Sequence, residues 1–267
     1  MYSSPKIEKE YFKITLEKFK TGILSRAVGN YTKAYETFKR IENIEKSFIA
    51  AIQSKRKVDI LDVGCGDGYH ICMFNTINGV KEKVAFTGID MSDVNVSFAS
   101  MVAKELSFNN VNFQTGSAEE LGFLDKKFDV VICSDVVEHL KSPEKCLASI
   151  LDILKPGGIS IITTPNSENL IVRIKDKLFP RKTQIEIDNG EHISLKGLKE
   201  WINIARKTGF NVLNVYRGAL IFGGPRYNRH PILFAFVILI DRIMDFIPFA
   251  NNCGEAVTLN LRKPVKP

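Results

Sequence analysis

The sequence predicts an α/β fold around one mostly parallel sheet, and three observations carry that expectation. Seven short apolar runs, VDILDV, VAFTGID, VNFQT, FDVVICS, GISIITT, FNVLNV and AVTLNLR, are spread from Val58 to Arg262. Amphipathic stretches of helical spacing separate most of them, and strands that alternate with helices need crossover connections, which make neighbouring strands parallel and cover both faces of the sheet. The composition agrees: 45% hydrophobic and 25% charged, with 18 Gly and 10 Pro in 267 residues, is ordinary for a globular domain and excludes collagen, coiled coil and wholesale disorder.

Taken in order, residues 1–57 place apolar groups at helical intervals, Phe12, Leu16 and Phe19 and then Ile41, Ile44, Phe48 and Ile52, so a helical N-terminal cover is expected ahead of the sheet domain at 58–267. The first run feeds a glycine-rich loop, Gly64-Cys65-Gly66-Asp67-Gly68, and Tyr69 to Phe74 can begin a helix. The second run ends on Asp90, and the fourth ends at Ser134, ahead of Asp135-Val136-Val137-Glu138-His139 and a helix expected near Pro143. Lys155-Pro156-Gly157-Gly158 is a turn by composition that leads into the fifth run. No crossover of ordinary length separates the last two runs, which makes an antiparallel final strand the expectation.

Two connections, 165–193 and 217–255, far exceed the usual 2 to 6 residues, and long insertions tend to form binding elements, so both are assigned to a substrate cap. The first interleaves Arg173, Lys175, Lys177, Arg181 and Lys182 with apolar residues, the pattern of a basic amphipathic helix or of a solvated face. The second holds nine uninterrupted apolar residues, Ile232 to Ile240, less than half the roughly 20 that span a bilayer. A helix there could lie in a membrane interface, roof a greasy substrate, or pack as a core or dimer contact.

Two groups of residues carry chemistry. Glycines after a buried strand let the backbone turn sharply and approach a ligand, while the following helix N-terminus offers free N–H groups and Asp90 stands where a ribose diol is usually accepted. Asp135, Glu138 and His139 lie at the carboxyl end of a central strand, and His192 in the first insertion can approach them. Two carboxylates and two imidazoles make a divalent-metal set, with Mg as one option, and either histidine suits general-base work near neutral pH. The bland alternative is that Glu138 and His139 brace the helix near Pro143 while His192 is a surface residue.

The glycines at 64, 66 and 68 give GxGxG rather than the dinucleotide fingerprint. With GID at 88–90, GSAEEL at 116–121, FDVVICSDVVEHL at 128–140 and LKPGGISIITTPN at 154–166, the stretch resembles class I S-adenosylmethionine-dependent methyltransferases, most closely the small-molecule O-methyltransferases of the ubiquinone-biosynthesis type. The resemblance implies a Rossmann-like fold and S-adenosylmethionine as cofactor. It implies that Asp62 orients the methionine ammonium, that Gly64, Cys65, Gly66 and Gly68 admit the amino-acid moiety, that Asp90 holds the ribose and that Met91 packs on adenine. Ala118 would meet the adenine ring through its backbone. Ser117 stands where an acid commonly accepts from the adenine amino group, leaving that hydroxyl or Glu119 to serve, and Ser134 closes the cofactor edge. Asp135, His139 and His192 are the expected catalytic residues, with Asp135, Glu138, His139 and His192 as metal ligands if a metal is used.

The expected acceptor is a small or lipid-like molecule, with peripheral membrane contact and a homodimer as further options. RNA 2′-O-methylation and a non-catalytic cofactor-binding regulator are the rivals. The formal charge of +7 hints at an anionic partner, yet it is modest and no RNA-binding module is legible, so nucleic acid is disfavoured. Five cysteines without a CxxC pair and an N-terminus without an apolar signal region lead to a cytoplasmic location, with the inner membrane face as the peripheral option.

Overall fold

The computed structural model describes residues 31–169, 192–220, 231–247, 250 and 253–265. The chain runs α1 (Tyr31–Ile52), β1 (Val58–Val63), α2 (Tyr69–Asn75), β2 (Val84–Asp90), α3 (Asp93–Glu105), β3 (Val111–Thr115), β4 (Phe128–Ser134) and α4 (Pro143–Ile153). It continues with β5 (Leu154–Pro165), α5 (Leu198–Thr208), β6 (Asn211–Arg217), α6 (Pro231–Met244) and β7 (Ala256–Arg262), and single 3-10 turns stand at Leu121–Phe123 and Val137–His139. The basic segment of the first insertion and the first half of the N-terminal cover lie outside the described residues.

The strands form one seven-stranded sheet in the order β3-β2-β1-β4-β5-β7-β6. β1 to β5 pair in parallel, and β7 runs antiparallel to both β5 and β6, as the missing crossover predicts. The reason is topological. β6 ends at the carboxyl edge, the chain makes its excursion there, and β7 enters at that same edge, where Ala256 pairs with Pro165. β1 and β4 are neighbours, although the chain leaves β1 toward β2 and returns to β4 from β3, so their following loops diverge and open a crevice.

The pleat divides the core into two layers. Leu61 and Val63 of β1 point to one face, against Leu147 and Ile150 of α4 and Trp201 of α5, whereas Val58 and Ile60 point to the other, against Ile44 and Phe48 of α1 and Phe74 of α2. Phe48 and Phe74 stack with centroids 4.4 Å apart, which locks α1 onto α2. Ile41, Ile44, Phe48 and Ile52 are all buried, so the spacing of the N-terminal cover selects the sheet-facing side of α1.

α6 is attached the other way round. Asp241 is fully buried and accepts from Arg217 Nη1 at 2.6 Å, Tyr35 Oη at 2.7 Å, the Leu220 amide at 2.8 Å, and Lys39 Nζ. Asp245 pairs with Arg217 at 2.6 Å and Lys39 at 2.8 Å, and Arg242 pairs with Glu42 at 2.7 Å. The charged side of the helix therefore faces the protein, and Phe236, Leu239, Ile243 and Phe246 face outward. The option of a core helix with its apolar side against the sheet is not what forms, because the buried cations of α1 and β6 need the acids of α6 as counter-charges.

Candidate functional site

The β1 loop is built by left-handed backbone. Gly64, Gly66 and Gly68 have φ of 70°, 51° and 76°, conformations that cost a non-glycine residue strain. At Gly64 a side chain would also strike Val136, whose Cγ2 lies 2.3 Å from the position of a Cβ; at Gly66 a Cβ would meet nothing within 4 Å. The loop thus pairs tight packing with backbone that borders open space. The Cys65 amide donates to the Ile89 carbonyl at 2.8 Å, and the Gly66 amide to Asp90 Oδ2 at 2.9 Å. Asp90 Oδ1 accepts from the Ser92 amide at 2.9 Å and Asn95 Nδ2 at 3.2 Å, so one carboxylate ties the glycine loop to the start of α3.

Beneath the loop, Asp62 is almost completely buried, and its Oδ2 has no hydrogen-bond partner among the described residues; His70 Nδ1 stands 3.8 Å away. An unpaired buried carboxylate oxygen is costly unless a bound group satisfies it. Met91 is 73% exposed beside Asp90, a large apolar side chain left for a flat ligand to cover. Ala118 is buried, and Ser117 Oγ accepts from the Glu119 amide at 3.2 Å. Glu119 Oε1 accepts from the Ser142 amide at the start of α4 at 3.1 Å, and the Glu119 carbonyl accepts from Ser149 at 2.8 Å, so this acid is engaged in holding α4. Burial, with Asp62 next, raises the Cys65 thiol well above its ordinary range and makes it an inert packing group.

The second group divides. Glu138, His139 and His192 converge, with one ligand atom from each within 4.8 Å of the others, and the two imidazole rings lie 4.7 Å apart between centroids. The end of the first insertion is pinned here by Ser194, whose amide donates to the Glu138 carbonyl at 2.9 Å and whose hydroxyl donates to the Leu140 carbonyl at 2.7 Å. Neither oxygen of the buried Glu138 carboxyl has a hydrogen-bond partner among the described residues. Burial, reinforced by the Asp135 charge, pushes its pKa up to about 8, so it is largely protonated at neutral pH.

Asp135 does not join them. Its backbone is left-handed, with φ 54°, and its carboxylate turns to Arg40 of α1 at 3.0 Å and accepts from Thr163 Oγ1 at 3.2 Å. Thr163 also meets Ser134 Oγ at 2.7 Å. The guanidinium of Arg40 offers this carboxylate a stronger partner than an imidazole would, so the structure brings Asp135 to Arg40 and groups the other three residues without it. Asn166, at the same edge, donates to the Gly254 carbonyl at 3.2 Å and braces the loop after β5.

Sequence reasoning missed Arg40, Thr163 and Glu255. Arg40 stands in a helix whose legible signal was its apolar stripe, and Thr163 reads as an ordinary strand residue. Glu255 reaches this edge only because β7 is antiparallel. It is half-buried with its Oε1 shielded from solvent, and this desolvation, followed by the Glu36 charge, lifts its pKa to about 7.

With this geometry in place, comparison with known proteins is informative. A family profile described as a methyltransferase domain matches residues 54–209. The ubiquinone biosynthesis O-methyltransferase of Rickettsia felis is 35% identical over 127 residues, which cover 48% of this chain and 49% of that protein. The chain spans about half the length of such curated relatives. Among solved structures, the magnesium protoporphyrin IX methyltransferase of Synechocystis PCC 6803 covers 94% of this chain and 99% of its own at 15% identity, with a TM-score of 0.56. The cyclase SpnF covers 84% and 81% at 21% identity, with a TM-score of 0.58, so the shared fold alone does not fix the reaction. The profile takes in the glycine loop, Asp90, and the Glu138 and His139 block, and on that match the chain belongs to the methyltransferase domain family.

Proposed function

We propose that the protein transfers a methyl group from S-adenosylmethionine to an oxygen of a small or lipid-like acceptor. The observation that carries this reading is the buried, unpaired Asp62 oxygen beneath a glycine loop tied to Asp90. The residues present fit the group. Asp62 supplies an acceptor for an ammonium, Gly66 leaves room where a Cβ would intrude, Asp90 retains lone pairs for ribose hydroxyls, and Met91 offers an apolar cover for the base. When bound, S-adenosylmethionine supplies an electrophilic methyl group on a sulfonium centre.

The chain's own work is alignment and proton removal. The crevice between the β1 and β4 loops would hold the acceptor in line, and such positioning supplies much of the rate in a displacement. An imidazole nitrogen of His192 or His139 would take the acceptor hydroxyl proton, the two rings lying close together and tilted by 47° to one another. Arg40 and Thr163 would hold Asp135 in its left-handed conformation at the same edge.

A divalent metal on Glu138, His139 and His192 is a second reading, supported by the convergence of one ligand atom from each within 4.8 Å. Two imidazoles and one carboxylate suit an ion such as Zn better than the oxygen-seeking Mg. Such an ion would polarise an acceptor oxygen held beside the histidines.

The test is release of S-adenosylhomocysteine against a panel of phenolic and catecholic acceptors, with and without chelator. His139→Ala or His192→Ala should lower turnover by about 100-fold or more while leaving cofactor affinity within about threefold. Turnover at the wild-type rate in both variants contradicts the base assignment, and insensitivity to chelator removes the metal. Cofactor binding without turnover on any acceptor would favour a non-catalytic binder.

A further inference from the structure

Asp135 stands at a joint. Its amide still belongs to the ladder between β4 and β5, donating to the Thr163 carbonyl at 3.0 Å. Its φ is nevertheless 54°, and of the described residues other than glycine only Ser107 shares a positive φ. This left-handed conformation, which side chains rarely adopt, ends the strand and turns the chain into the Val137–His139 turn, where Glu138 and His139 lie. Val136, the next residue, packs on the cofactor loop, its Cγ2 lying 2.3 Å from the place a Cβ on Gly64 would take. One backbone conformation therefore governs two things, the seating of Val136 on Gly64 and the placement of the residues on the acceptor side.

What holds that conformation comes from elsewhere in the fold. Asp135 Oδ1 accepts from Thr163 Oγ1 at 3.2 Å, and Oδ2 pairs with Arg40 Nη1 at 3.0 Å. Arg40 is presented by a fixed element. Its neighbours Lys39 and Ile41 are buried, Lys39 is tied to Asp241 and Asp245, and Phe48 stacks on Phe74 of α2, the helix that follows the glycine loop. A guanidinium held in this way restrains the carboxylate, and the backbone behind it, more firmly than a hydroxyl alone can. The cofactor loop has anchors of its own, since the Gly66 amide donates to Asp90 and the Cys65 amide to Ile89, and these do not involve Arg40.

We propose that Arg40 is a positioning residue for methyl transfer, holding Asp135 in its left-handed conformation so that the Val137–His139 turn stays seated against the cofactor loop. This rests on the reading of the crevice as the site of transfer, and two readouts keep the two ideas apart. The first needs no acceptor. A nuclear Overhauser cross-peak between the Val136 methyl protons and the Gly64 α-protons, which the structure puts in contact, should be present in wild type and lost in Arg40→Ala. The second is steady-state turnover. Arg40→Ala should lower kcat by about tenfold or more, leave acceptor KM and S-adenosylmethionine affinity within about threefold, and be rescued in part by Arg40→Lys. Asp135→Gly, which adopts a positive φ without strain, should keep at least about fivefold more turnover than Asp135→Ala. Adding Arg40→Ala to Asp135→Gly should cost no more than about twofold further, because the contact it removes is already gone. Melting temperature and Trp201 emission check the fold.

An unchanged cross-peak in Arg40→Ala overturns the proposal. So does a variant in which KM alone rises, which would make Arg40 a contact of the acceptor. Equal loss in Asp135→Gly and Asp135→Ala overturns it as well, because the carboxylate itself would then be the working group. Wild type that shows the cross-peak yet turns over no acceptor defeats the reading of the site, and the cross-peak comparison still decides whether Arg40 seats the turn.

Discussion

At Gly88, inside β2, a Cβ would lie 2.5 Å from Phe113 Cδ1 and 2.9 Å from Cys65 Sγ, so the strand can pass beneath the cofactor loop only without a side chain. Gly88→Ala should cost about 1 to 3 kcal/mol from overpacking, read as a lower urea midpoint by the fluorescence of Trp201, which is the single tryptophan and is buried. Glu255 makes a different prediction. Its pKa rises from 4.5 to about 7 in the folded state, which therefore holds the proton more tightly than the unfolded chain does. The stability this proton confers is full below about pH 4.5 and is lost as pH rises toward 7, a contribution of roughly 3 kcal/mol. Glu255→Gln should flatten that fall, measured by melting wild type and variant at about pH 5 and about pH 8. Among individual residues, those legible in the sequence were the ones whose signal is local. Gly64, Gly66, Gly68, Asp90, Glu138 and His139 each sit in a short motif, whereas Arg40, Thr163 and Glu255 reach the same edge only through tertiary folding. The partner that Asp135 meets was not legible for the same reason, because Arg40 comes from α1.

At the scale of elements, α6 is held by charge and not by its apolar face. Removing Asp241 leaves Lys39 and Arg217 buried with too little counter-charge, so Asp241→Ala should destabilise the protein by about 3 to 5 kcal/mol in urea unfolding. Loss of less than about 1 kcal/mol would show that the network contributes little. The existence of α6 could be read from its apolar run, but its orientation could not. A helical pattern states which residues share a face, while the choice of face depended on Lys39, Tyr35 and Arg217, all remote in sequence. The strands were legible because alternating buried runs are a local property, and their limits moved by a residue or so. The Lys155-Pro156-Gly157-Gly158 turn is the exception. It is drawn into the start of β5, where Gly157 keeps a positive φ of 74° and the register against β4 slips between Phe128 and Val130.

At the scale of the whole molecule, the strand order places the functional edge. The loops after β1 and β4 diverge at the centre of the sheet and carry the glycines, Glu138 and His139 to one crevice, where the insertion after β5 brings His192 to Glu138 and His139. The antiparallel β7 adds Glu255 and returns the second insertion to the same edge, with α6 beside it. Among the described residues no helix is long and apolar enough to cross a membrane. The central claim is that this crevice binds S-adenosylmethionine through Asp62 and Asp90, and titration calorimetry tests it most directly. The account predicts that wild type binds S-adenosylmethionine in preference to NAD, that Asp62→Asn weakens binding by about tenfold or more while the fold melts as before, and that Asp90→Ala weakens binding by at least as much. Tighter binding of NAD, or unchanged affinity in both variants, would contradict it.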